Sequence, residues 1–185
     1  MTRPSPRILP HRLEPGATIG LCAPSGLVQE PGALDMAQLY LEERGFRVLQ
    51  APHVRARWEY FAGTDHERTQ DFNALARDPQ VHLIMPARGG YGLTRILSGL
   101  DLQALVQQRK MVVGFSDITL LHLALLAQFG LVSFAGPMAV PDFGHAHRST
   151  WHAPHFEGLL QAHTHLSPPI ALPFSACEGE TGRSC

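Results

Sequence analysis

The chain has 185 residues, 44% of them hydrophobic and 17% charged, with 15 Lys and Arg against 16 Asp and Glu. This composition is enough to build the core of one domain, or of one domain and part of a second, and it excludes a chain too polar to fold. A net charge of −1 leaves no electrostatic footprint for nucleic acid or an anionic membrane, so a partner must be recognised by a local pocket.

The three cysteines, Cys22, Cys177 and Cys185, are odd in number and match neither a disulfide framework nor a zinc motif, which points to a reducing compartment. Residues 1–16 are rich in Pro and Arg and lack the apolar run of a secretory signal. The most apolar stretch, 120–136, is interrupted by His122, Gln128 and Gly130, too often for a membrane span. A cytoplasmic protein is expected.

In chain order, Ala17 to Pro24 form an apolar run that reads as a buried strand ending in a loop. Leu34, Ala37, Tyr40 and Leu41 recur at helical spacing, and Gly45 stands where that helix would end. Phe46 to Leu49 reads as a second strand. Thr64 and Glu67 have capping-box spacing and open a helix through Phe72 and Leu75. Val81 to Ala87 is a third strand, followed by Arg88-Gly89-Gly90-Tyr91-Gly92. Helical pieces are expected from Leu93 and over Asp101 to Arg109. Met111 to Phe115 is a fourth strand, Asp117 to Phe129 a helix closed by Gly130, and Leu131 to Ala135 a fifth strand.

Strands alternating with helices predict an α/β fold with a mostly parallel sheet flanked by helices on both faces. In such sheets ligands bind beyond the carboxyl ends of the strands. Ala23-Pro24-Ser25, Arg88 to Gly92, Gly114-Phe115-Ser116-Asp117 and Gly136-Pro137-Met138 each directly follow a strand. All four should gather along one edge of the sheet.

Ser116 lies between a strand and a helix on a turn begun by Gly114. A nucleophile there projects toward substrate, and the Asp117 N–H, with Gly89-Gly90 backbone as second donor, would stabilise an oxyanion. Arg88 would grip a substrate carboxylate through a fork of hydrogen bonds. The competing reading makes Ser116 an N-cap and Asp117 a dipole-matched first-turn residue. Ile118 stands where a hydrolase elbow has Gly. The glycine-rich loop is neither a Walker A nor a dinucleotide fingerprint; it would cradle a phosphate or sugar, or simply turn the chain, with Tyr91 as a packing residue with a polar tip. His145, His147, His152, His155, His163 and His165 crowd the C-terminal part without the ligand set of a metal site, and His82 and His122 read as core-edge residues. A helix over Pro154 to Ala162 and a linker at Ser167-Pro168-Pro169 complete the pass.

Taken in order, Ala23-Pro24-Ser25, Pro86 to Gly92, Gly114 to Thr119 and Gly136-Pro137-Met138 resemble the LD-carboxypeptidase family of serine peptidases, over about Gly16 to Pro141. The resemblance implies a flavodoxin-like or Rossmann-like N-terminal domain over 1–143, followed by a histidine-rich helix, linker and tail over 144–185. It implies Ser116 as nucleophile, an oxyanion hole from the backbone of Asp117 and the Gly89-Gly90 turn, and Arg88, Gly89 and Tyr91 against the substrate. It further implies hydrolysis of murein tetrapeptides in cell-wall recycling, no metal or other cofactor, and a homodimer. One branch of such proteins cleaves a peptidyl-nucleotide antibiotic instead. The serine's glutamate and histidine partners belong to a second domain that opens with Gly-Gly-Asn. Here the sequence reads Glu178 to Cys185, so the expectation is a truncated enzyme, weakly active or inactive alone. A non-catalytic peptide- or nucleotide-binding module is the alternative.

Overall fold

The computed structural model describes residues 7–146 and Phe156. Five parallel strands, β1 (Thr18–Cys22), β2 (Arg47–Gln50), β3 (Val81–Pro86), β4 (Met111–Gly114) and β5 (Phe134–Ala135), form one sheet in the order β2-β1-β3-β4-β5. The helices are α1 (Pro31–Glu43), α2 (Asp65–Arg77), α3 (Leu93–Ile96), α4 (Leu102–Gln107) and α5 (Thr119–Phe129). The α/β class and parallel sheet agree with the expectation, and the strand order is the flavodoxin-like one, reversing direction between β1 and β3.

Alternation along the strands divides the core in two. Ile19, Leu21, Leu83, Met85 and Val113 pack with Leu34, Tyr40 and Leu41 of α1. Cys22, Ile84 and Val112 face the other way, into Phe72 and Leu75 of α2, Leu105 of α4 and Leu121 of α5. Each fully buried Leu, Ile or Phe contributes about 1.5–3 kcal/mol, and the apolar faces of the helices cover what would otherwise be two wet sides of a parallel sheet.

The helix boundaries follow local chemistry. Thr64 Oγ1 accepts from the Glu67 N–H at 3.3 Å while the Thr64 N–H donates to Glu67 Oε2 at 2.7 Å, the reciprocal capping box expected at the start of α2. Gly130 closes α5 at φ +73°, a left-handed conformation that glycine adopts without steric cost.

Three features depart from the expected elements. Strand β5 is two residues rather than five, because Leu131 and Val132 pair instead with the N-terminal segment: the Ile8 N–H donates to Gly130 O and the Val132 N–H to Ile8 O, both at 2.9 Å. Ile8, within the Pro-rich N-terminal segment, is therefore part of the fold. Ala139–Phe143 form a π-type turn, held where the Val140 N–H donates to Ala87 O at 2.8 Å, and Phe143 stacks on Tyr40. His82 sits at a register shift between β1 and β3 and accepts from the Thr18 N–H at 3.1 Å, at the exposed edge of the core. The helix expected over Pro154 to Ala162 lies outside the described residues except for helical Phe156, whose buried ring packs on Phe143. His147 to His165 and the linker also lie outside them.

Candidate active site

The loops after β1, β3 and β4 meet at the point where the strand order reverses. The chain leaves β4 through Phe115 in extended conformation and turns at Ser116, whose φ is +61°. For a residue with a β-carbon the left-handed region costs about 1–2 kcal/mol; such a conformation persists only where its surroundings impose it. One 3-10 turn, Ser116–Ile118, leads into α5. Ser116 is exposed, and its hydroxyl caps no amide of that turn or of α5. The N-cap alternative thus lacks the hydrogen bond that defines it.

Gly89 faces this corner. A β-carbon there would lie 2.8 Å from Ser116 Cβ and 2.9 Å from Ser116 Oγ, so only glycine lets the β3 loop come this close. The Gly90 N–H, expected as an oxyanion donor, is instead donated to Asp117 Oδ1 at 3.1 Å. The backbone amides of the first turn at Ser116 and Asp117 lack intrahelical acceptors, as helix starts do.

Beneath the corner Ser25 and Arg68 bridge several groups, though among the described residues Arg68 Nε has no partner. The Ser25 hydroxyl donates to Asp117 Oδ2 at 2.6 Å and accepts from the Gly92 N–H at 2.8 Å. Arg68 of α2, buried, donates from Nη1 to Pro24 O at 2.6 Å and to Gly92 O at 3.0 Å and pairs with Asp65. Burial pushes the Arg68 guanidinium below its ordinary range, an effect that Asp65 opposes. Behind β4, His122 Nε2 donates to Gly114 O at 2.9 Å, and burial lowers its pKa. It braces the strand end and, as its helical position predicts, does not point at Ser116.

An open depression of about 460 Å³ lies over Ser116, lined by Gln29, Arg88, Gly89, Tyr91, Met138 and His145, among others. Arg88 is half-buried and donates from Nη1 to Leu27 O at 3.3 Å. Tyr91 is 90% exposed, so it is a rim residue and not the packing residue expected. A groove of about 540 Å³ between Thr94, Asp101 and Gln128 is larger but lies away from the strand ends and holds no histidine or cysteine. Among the described residues no cluster of three or more His, Cys, Asp or Glu is disposed to hold a metal.

The structure therefore brings Arg88, Gly89, Gly90, Tyr91, Ser116 and Asp117 together. Sequence reasoning missed Ser25, Arg68 and the Asp117 carboxylate. Ser25 had a signal in its place directly after a strand; Arg68, one arginine among many on an amphipathic helix, had none.

Residues 19–136 match the family described as the LD-carboxypeptidase N-terminal domain. A probable murein peptide carboxypeptidase of Bacillus subtilis is 39% identical over 135 residues, which span 73% of this chain and 42% of that protein. Among solved structures, a muramoyltetrapeptide carboxypeptidase from Oxalobacter formigenes superposes with a TM-score of 0.72 at 36% identity, covering 79% of this chain and 48% of the other. The microcin C7 self-immunity protein MccF, in complex with aspartyl sulfamoyl adenosine, gives a TM-score of 0.79 at 30% identity, over 84% and 48% of the two chains. The chain spans less than half the length of these relatives. With the matched segment covering all five strands and the corner at Ser116, the chain belongs to the LD-carboxypeptidase family through that family's N-terminal domain.

Proposed function

We propose that this chain is the nucleophile-bearing part of a serine-type LD-carboxypeptidase acting on small peptides such as murein tetrapeptides in the cytoplasm. The observation that carries the reading is Ser116 held exposed at φ +61°, directly after a strand and beneath an open depression. In this reading Ser116 Oγ attacks the scissile carbonyl. The Asp117 N–H and a donor from the Gly89-Gly90 turn bind the oxyanion, and Arg88 holds the peptide's terminal carboxylate, with Tyr91 at the rim.

The hydroxyl proton needs an acceptor, since serine is a weak nucleophile without one. Among the described residues no imidazole or carboxylate is hydrogen-bonded to Ser116 Oγ, and the Asp117 carboxylate is already engaged by three donors. This supports a base supplied from outside residues 7–146, as the resemblance to the family implies. The domain boundary near residue 143, the assignment of 144–185 to a tail, and a homodimer belong to the same proposal. Without its base a serine hydrolase loses on the order of 10⁶ in kcat, so residues 7–146 without such a base should be weakly active or inactive. Among the described residues no helix is long and apolar enough to cross a membrane.

The test is covalent capture by a fluorophosphonate, read by mass spectrometry, beside release of the terminal D-amino acid from a murein tetrapeptide. Label on Ser116 that Ser116→Ala abolishes supports the reading; a folded chain that takes no label sinks nucleophilic competence. The likeness to an MccF carrying an aspartyl nucleoside favours a second reading, a peptidyl-nucleotide peptidase using the same corner. Preferential protection from labelling by an aminoacyl sulfamoyl nucleoside over a tetrapeptide would select it. Ligand binding insensitive to Ser116→Ala but weakened by Arg88→Ala would instead make the chain a non-catalytic binding module.

A further inference from the structure

Three loops that come from distant parts of the chain are joined at one carboxylate. Asp117 Oδ2 accepts the Ser25 hydroxyl at 2.6 Å and the Leu93 N–H at 3.3 Å, while Oδ1 accepts the Gly90 N–H at 3.1 Å. Ser25 in turn accepts the Gly92 N–H at 2.8 Å, and its residue has no solvent exposure. The loop after β1, the loop after β3 and the corner after β4 are thus closed by one hydroxyl and one carboxylate. Bonds to a carboxylate are about twice as strong as neutral ones, and the Gly92–Ser25 bond of the set is buried, where a low local dielectric strengthens it further.

The structure assigns Ser25 and the Asp117 carboxylate to positioning: they form a clasp that seats the Gly89 backbone against Ser116 and holds Ser116 at its positive φ. This inference rests on the reading of Ser116 as nucleophile. Two observations connect the clasp to reactivity as well as to packing. The first is that Gly89 and Ser116 stand at a separation that leaves no room for a β-carbon, so a small shift of the β3 loop alters the surroundings of Oγ. The second is that Asp117 is the residue next to Ser116, so its carboxylate sets the backbone that carries both the nucleophile and the Asp117 N–H. Misplacement by about 1 Å costs a reaction on the order of 10²-fold. Gly90 serves in the same clasp through its N–H, which leaves Gly89 as the residue of the turn in direct contact with the corner.

The test uses the 185-residue chain and two readouts: the second-order rate of fluorophosphonate labelling at Ser116, and amide hydrogen exchange at Gly90, Gly92 and Leu93. In Ser25→Ala, well below its melting temperature, labelling is expected to slow about tenfold or more and the three amides to exchange about tenfold faster, while Leu83 and Ile84 of β3 keep their protection. Asp117→Asn, close in shape but without the charge and with one acceptor replaced by a donor, should give the same pattern; it carries the test alone if Ser25→Ala does not fold. Labelling at the parental rate in a folded Ser25→Ala overturns the clasp as a positioning device. A Ser116→Ala chain that labels equally well overturns the nucleophile reading instead, and a parent chain that takes no label is one whose Ser116 is not reactive without a base. The clasp is then decided by exchange: unchanged protection at Gly90, Gly92 and Leu93 removes it.

Discussion

Two aspartates at the carboxyl edge of the sheet each gather polar groups, and they do so to different ends. Asp117 gathers a hydroxyl and two amides beside an exposed serine. Asp71 of α2, buried, gathers the N–H of His53 at 2.9 Å and its Nδ1 at 2.8 Å, in the loop after β2. The second cluster has the carboxylate–imidazole pair of a catalytic relay but no serine: the far nitrogen of His53 faces Glu67 Oε1 at 3.8 Å. The first has the serine corner, with no imidazole hydrogen-bonded to it among the described residues. A histidine–aspartate pair is therefore a structural pin where it ties a loop to a helix, and becomes chemistry only when a nucleophile stands at its open end. The Ser116 corner, conversely, is held by the strand end and by the hydrogen bonds that Asp117 accepts.

The comparison is broken most severely at Gly89. Gly89→Ala places a β-carbon against Ser116 and is expected to reduce Ser116 labelling by at least about 10²-fold and to cost about 1–3 kcal/mol in denaturant unfolding. Unimpaired labelling would show that the close approach is incidental. Next comes Arg68→Ala, which leaves the buried Pro24 and Gly92 carbonyls short of a donor. About 3 kcal/mol of destabilisation is expected, and a loss under about 1 kcal/mol by urea titration would mean water replaces the guanidinium. Smaller and opposite in sign is Ser116→Gly. It removes the left-handed strain at φ +61° and is expected to stabilise by up to about 1 kcal/mol, raising Tm by about 2–4 °C, while abolishing labelling. No gain by calorimetry would indicate that the corner is not strained.

The smallest effect lies in the pinned cluster. The hydrogen bond to Asp71 raises the His53 pKa above its ordinary value, reinforced by the charges of Asp71 and Glu67 and opposed by partial burial. The folded state therefore binds the proton more tightly than the unfolded state. The stability this contributes is complete below the ordinary imidazole pKa of about 6.5 and is lost as pH rises through the folded value. The Tm difference between the parent and His53→Gln should be largest near about pH 6 and shrink toward about pH 8; a difference that grows with pH would reverse the assignment.

The order of strands and helices was legible because each rests on neighbouring residues. The continuous apolar runs at 81–86 and 111–114, the Thr64–Glu67 box and Gly130 act within a few positions of themselves. The same locality put Arg88 to Gly92 and Ser116 at strand ends, and hence on one edge of a parallel sheet. Expectation failed where a distant segment took over a local one. β5 lost its first residues because Ile8 pairs beside Leu131, bonding to the Gly130 carbonyl and the Val132 N–H. Nothing near Gly90 in the chain announces the carboxylate 27 positions later that accepts its N–H.

The sequence by itself therefore determined the α/β class, the capped boundaries of its main helices, and the set of motifs that had to meet, since these depend on periodicity, capping and strand direction. Only the tertiary structure decided the strand order, the positive φ of Ser116, and the clasp that joins Ser25 to Asp117 across 92 positions. The physical reason is that a hydrogen bond between residues so far apart leaves no local periodic trace. It forms once sheet packing has supplied the entropy cost of bringing the loops together.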